Sequence, residues 1–153
     1  MKIALGSDHA GVGLKKEVML YLESHSYVYE DFGTYRADES VDYPLYAREV
    51  ARKVASGEYD LGILICGTGI GISIAANKVP GVRCALCHDT FSAKAAREHN
   101  NANILAMGER VIGRGLAMEV VDAFLGQQFA GGRHTRRVDQ IGDIEKEYSR
   151  DER

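Results

Sequence analysis

The chain has 153 residues, 45% of them hydrophobic and 27% charged, with a formal net charge of −3. That length suits one domain with an adequate core, and the acidic balance argues against a nucleic-acid binder, which usually carries a strongly basic face. Three cysteines are sparse and odd in number, which excludes a disulfide scaffold as the default and points to a reducing compartment. Met1–Asp8 turns polar too soon for a signal peptide, and no apolar run approaches the roughly 20 residues that cross a bilayer. A cytoplasmic protein without membrane or nucleic-acid partners is the expectation.

Strand and helix patterns alternate along the chain. Lys2–Gly6 reads as a short apolar strand, and Val12–Ser24 as a helix with Leu14, Val18 and Leu22 on one face. Tyr27–Phe32 is a second strand closed by Gly33. The loop Ser40–Pro44 follows, with Pro44 placed for the first turn of a helix that runs to about Ala55. Gly57 ends that helix, and Leu61–Cys66 is the third strand. A glycine turn and a short apolar helix lead to Pro80-Gly81 and a fourth strand, Val82–Cys87. Asp89 or Thr90 caps the next helix, to about Glu98. Asn103–Ala106 is a fifth strand, and Leu116–Leu125 a helix ended by Gly126. Gly131-Gly132 then breaks the rhythm before a charged helix over about residues 134–148. That helix carries Ile141 and Ile144 and has no core of its own, so it packs on the body or on a second subunit.

Five β-α repeats predict an α/β fold: a single domain built as a three-layer α/β/α sandwich, Rossmann-like, on a five-stranded parallel sheet with an extra C-terminal helix. Ligands of such sheets sit beyond the carboxyl ends of the strands. The segments that matter are therefore Ser7-Asp8-His9, Cys66–Gly71, His88-Asp89 and Gly108-Glu109-Arg110.

The run from Gly62 to Lys78 is the most informative. An apolar strand ends on Cys66 and passes through Gly67-Thr68-Gly69-Ile70-Gly71 into a helix. Free N–H groups at the helix start, with the dipole behind them, make an anion site and favour a thiolate. The loop is neither a P-loop, which ends in Gly-Lys-Ser/Thr, nor the dinucleotide fingerprint, since Ile72 stands where its third glycine belongs. A small phosphorylated or enolisable ligand fits the short cradle better. Unpaired cysteine is often just a small buried hydrophobe, but the strand-end position favours a base or nucleophile. Cys84-Ala-Leu-Cys87-His88 matches a haem-attachment pattern, yet it lies on a buried strand whose alternation puts the two thiols on opposite faces; a zinc site lacks a second ligand pair. Asp8-His9 is either an N-cap with a surface histidine or part of the ligand crevice. His99 ends a helix, where a histidine also suits the dipole. Arg133, Arg136 and Arg137 with His134 are either a solvated face or a phosphate clamp.

Five segments, Gly6–Gly11, Ser40–Pro44, Ile65–Lys78, Arg97–Asn103 and Gly131–His134, occur together in the order of one known family. Over nearly its whole length the chain resembles ribose-5-phosphate isomerase of the B type, a group that includes galactose-6-phosphate isomerase subunits and allose-6-phosphate isomerase. The resemblance implies interconversion of an aldose and a ketose phosphate through a cis-enediolate, without metal or cofactor, in the pentose phosphate pathway. It implies Cys66 as the base, Thr68 as its aid in positioning or relaying a proton, and His99 as the ring-opening residue. Asp8 and Tyr43 would lie near the sugar, and the Gly67–Gly71 backbone, including Gly69 and Ile70, would hold the enediolate oxygens. His9, Arg110, Arg133 and Arg137 would contact phosphate, and Asn100 the sugar or enediolate. It further implies a homodimer or homotetramer with a shared site. Two other readings stay open: a six-carbon sugar phosphate as substrate, and a phosphate-binding module without catalysis.

Overall fold

The computed structural model describes residues 1–149. β1 (Lys2–Ser7) leads through a single 3-10 turn (His9–Gly11) into α1 (Val12–Ser24). There follow β2 (Val28–Asp31), α2 (Tyr43–Ala55), β3 (Leu61–Cys66), α3 (Ile70–Ala76), β4 (Cys84–Leu86), α4 (Thr90–Asn100), β5 (Ile104–Gly108), α5 (Arg114–Leu125) and α6 (Arg133–Tyr148). Pro44 occupies the first turn of α2, and Asp89 caps α4 by accepting from the Ser92 amide at 2.7 Å.

The five strands form one sheet in the order β2-β1-β3-β5-β4, with every neighbour pair parallel. β3 is buried at all six positions because helices cover both faces of the sheet. Ile63 and Ile65 pack with α1, α4 and α5, through Val18, Ala93, Val120 and Phe124. On the other face Leu64 packs with α2 and α3, through Val50, Val54 and Ile72. Each such aliphatic side chain contributes about 1.5–3 kcal/mol when removed from water. The result is the expected three-layer α/β/α sandwich.

Element ends differ from expectation where the ladder, rather than hydrophobicity, sets them. β2 and β4 are shorter than their apolar runs. β5 runs on to Gly108 because Met107 and Gly108 pair with Ile65 and Cys66. The two β4-region thiols do face opposite layers, Cys84 toward the α2/α3 side and Cys87 toward the α1/α5 side. Burial pushes Cys84 up to about 12 and Cys87 up to about 11, so both are neutral thiols. Helix α6 has no buried residue; Ile141, Ile144 and Tyr148 are all exposed. No helix is long and apolar enough to cross a membrane.

The chain steps from β1 outward to β2 and then returns to lay β3 on the other side of β1. At such a reversal the loops diverge and leave a crevice at the carboxyl ends of the two strands. Ser7-Asp8 and Cys66-Gly67 lie at that point.

Candidate active site

A cavity of about 400 Å³ opens there. Asp8, His9 and Ala10 form one wall, Cys66, Gly67, Thr68, Ile70 and Gly71 the other, and Tyr43 and Arg110 reach in from neighbouring elements. Asp8 serves both readings made of it: its carboxylate accepts from the Ala10 amide at 3.0 Å as an N-cap, and it lines the cavity. His9 Nδ1 accepts from the Val41 amide at 3.1 Å, which leaves Nε2 as the nitrogen carrying the proton.

Cys66 is only 5% exposed and packs on the α2/α3 side of the core, yet it lines the cavity. Its Sγ accepts from the Gly69 amide at 3.1 Å. Thr68 Oγ1 accepts from the Ile70 amide at 3.3 Å. Among the described residues, the N–H groups of Gly67, Thr68 and Gly71 have no acceptor. The loop is built from glycines because its backbone touches other groups directly. Gly69 has φ +76°, and a Cβ there would lie 2.8 Å from the Met107 carbonyl carbon. At Gly71 a Cβ would meet the Tyr43 ring at 2.6 Å, so the absence of a side chain is what lets Tyr43 into the cavity.

The remaining candidates stand elsewhere on the chain. His99 and Asn100 are the last residues of α4, and Arg133 and Arg137 lie in the first turns of α6. None of the four lines the cavity. They form a second group: the His99 and His134 rings stack with centroids 4.3 Å apart and planes 11° from parallel. Desolvation, with the adjoining His99 ring and the positive charges of Arg133 and Arg137, holds His134 below the usual histidine range. Among the described residues, Arg133, Arg136 and Arg137 have no carboxylate partner. Beside this group a groove of about 630 Å³ runs between α6 and the β4 edge, lined by Asn100, Cys84, Val82, Ile141 and Ile144.

Among the described residues, no three His, Cys, Asp or Glu side chains gather so as to hold a metal ion. Three residues near the cavity had no role assigned to them from the sequence. Ala10 lines it, and Glu109 and His88 brace its backbone. The strand-end positions of His88 and Glu109 were the one available signal.

A doubly wound parallel sheet, with a thiol, a carboxylate and basic side chains around one crevice at its reversal point, defines the Rossmann-like class of small-molecule-binding proteins. The ribose/galactose isomerase family model matches residues 3–141. The chain belongs to that family and is an isomerase. Ribose-5-phosphate isomerase B of Clostridium thermocellum has a similar structure, with a TM-score of 0.95 and 56% identity over 97% of this chain and 100% of that one. Ribose-5-phosphate isomerase B of Escherichia coli is 52% identical over 95% of this chain and 97% of its own. A D-erythrulose-4-phosphate isomerase of Pectobacterium atrosepticum is 43% identical over 95% of both chains.

Proposed function

We propose that this protein interconverts ribose 5-phosphate and ribulose 5-phosphate through a cis-enediolate, as a pentose phosphate pathway enzyme needing neither metal nor cofactor. In the aldose-to-ketose direction the Cys66 thiolate takes the proton from C2. The electron pair left behind forms the C1–C2 double bond, and negative charge passes to the oxygen on C1. The sulfur then returns the proton to C1 while the hydroxyl proton of O2 moves to O1, with Thr68 placed to relay it. The observation that carries this reading is the Cys66 sulfur beside loop amides that lack an internal acceptor. The Gly69 N–H donates to this sulfur, which lines the cavity where a substrate carbon can reach it. Free amides of Gly67, Thr68 and Gly71 supply donors for the oxyanion, each worth about 3 kcal/mol of transition-state stabilisation.

Asp8 and Tyr43 orient the sugar, and His9 and Arg110 contact phosphate. His99 for ring opening, Asn100 for the enediolate or sugar, and Arg133 and Arg137 for phosphate come from the second subunit of a homodimer or homotetramer. The parallel topology supports that sharing. Helix α4 starts beyond the carboxyl end of β4 and returns to the amino edge, where β5 begins, so its last residues lie about 16 Å down the helix from its start. The chain forms a single domain whose helix α6 packs on the partner.

Cys66→Ala tests the mechanism. It lowers kcat by about 10²- to 10⁴-fold, while ribose 5-phosphate still binds within a few-fold of wild type by titration calorimetry; normal turnover by this variant would refute the assignment. Relative kcat/KM on four-, five- and six-carbon aldose phosphates tests the substrate, with the five-carbon sugar expected to lead.

A further inference from the structure

Where β4 ends, the parallel ladder loses its next acceptor. Cys87 N–H still donates to the Ala106 carbonyl at 3.1 Å, but the following β5 amide, that of Gly108, turns to a side chain: it donates to His88 Nε2 at 2.9 Å. Because the backbone N–H can only donate, Nε2 must be unprotonated and Nδ1 must carry the hydrogen. Burial outweighs the neighbouring Asp89 carboxylate and holds His88 below the usual histidine range, which keeps the ring neutral.

Gly108 is the register partner of Cys66. Its Cα is pressed onto the loop, since a Cβ there would lie 2.4 Å from the Thr68 carbonyl carbon. The next two amides, of Glu109 and Arg110, donate at 2.9 Å to the carbonyls of Cys66 and Gly67. The Glu109 carboxylate accepts from the Leu14 amide at 2.8 Å and so ties the same segment to the start of α1, just past Asp8 and His9. One imidazole thus fixes the segment on which both walls of the cavity rest.

We propose that His88 is a positioning residue: its unprotonated Nε2 anchors the Gly108 amide, and through that amide the backbone that places Cys66, Thr68 and Arg110. The kinetic consequence rests on the isomerase reading above; the tautomer does not.

The test combines kinetics with nitrogen NMR of the full chain. His88→Phe keeps a ring of similar size and removes the acceptor. It lowers kcat on ribose 5-phosphate by about ten- to a hundredfold, the penalty of a small misplacement at a reacting centre, with KM changed less than kcat. His88→Gln, whose Oε1 reaches to the Nε2 position, recovers activity to within about threefold of wild type. A merely space-filling histidine predicts the opposite order, Phe tolerated and Gln impaired, and that result would overturn the proposal. In wild type, the ¹⁵N shift of His88 Nε2 at neutral pH is that of an unprotonated ring nitrogen; a protonated Nε2 overturns the proposal even where the Phe variant does not fold. Wild type inactive on every sugar phosphate would instead sink the isomerase reading, and the NMR result would then judge the anchor alone.

Discussion

Lys15 is almost wholly buried, with its side chain 1% exposed and its Nζ 2.7 Å from the carboxylate of Asp31, itself 4% exposed. The same ammonium donates to the Thr34 carbonyl at 2.6 Å. Between these residues Gly33 lies against the backbone of Ser7, where a Cβ would be 2.4 Å from the Ser7 nitrogen, and Thr34 N–H donates to the Ser7 carbonyl. The pair therefore clamps the loop after β2 onto the residue preceding Asp8. Removing one member strands the other charge in the interior, at a cost of about 3–5 kcal/mol. Lys15→Met should lower the urea midpoint accordingly, and Lys15→Met with Asp31→Leu should recover much of the loss; equal midpoints for wild type and the single variant would show the pair to be idle. Helical spacing puts Lys15 with Val18 and Leu22 on the buried face, but a charge there has no visible reason in the sequence, since its partner arrives only when β2 lies beside β1. The Cys66–Gly71 turn was legible for the opposite reason: its strand, its glycines and its thiol are contiguous.

Among the helices of the described residues, α6 is the one that buries no residue of its own. Sixteen residues make a marginal helix in water, and its tethers to the body include the Gly81 amide, which donates to the Glu145 carboxylate at 2.9 Å. Ile141 and Ile144 face the groove beside the β4 edge. If a partner subunit fills that groove, Ile144→Glu buries a charge in the contact, and sedimentation velocity should show the assembly shifting toward monomer with a parallel loss of isomerase activity. An unchanged sedimentation coefficient would remove α6 from the contact. The unpartnered character of this helix was readable from its charged sequence. The ends of β4 and β5 were not, because they depend on which strand each one meets. Arg83, just before β4, still takes part in the sheet, its carbonyl accepting from Asn103 and Ile104.

Over the whole molecule, β-α alternation announces a parallel sheet but not its order. That β5 slips between β3 and β4 is settled by packing between segments far apart in sequence. The order puts Gly108 beside Cys66, while the return of α4 carries His99 to the opposite edge. A mixing experiment follows from that geometry. Cys66→Ala and His99→Asn homomers should each be nearly inactive, and random reassortment of dimers makes half of them hybrids with one of two sites intact, about a quarter of wild-type activity. No recovery on mixing would confine the site to one chain. The backbone construction of the Cys66–Gly71 loop has a further consequence. Its polar floor is main-chain amide, which no coded substitution other than proline can erase. A scan that only truncates side chains would register Cys66 and the rim of the crevice but pass over these amides; added bulk at the glycines, alanine included, or an amide-to-ester replacement would register there.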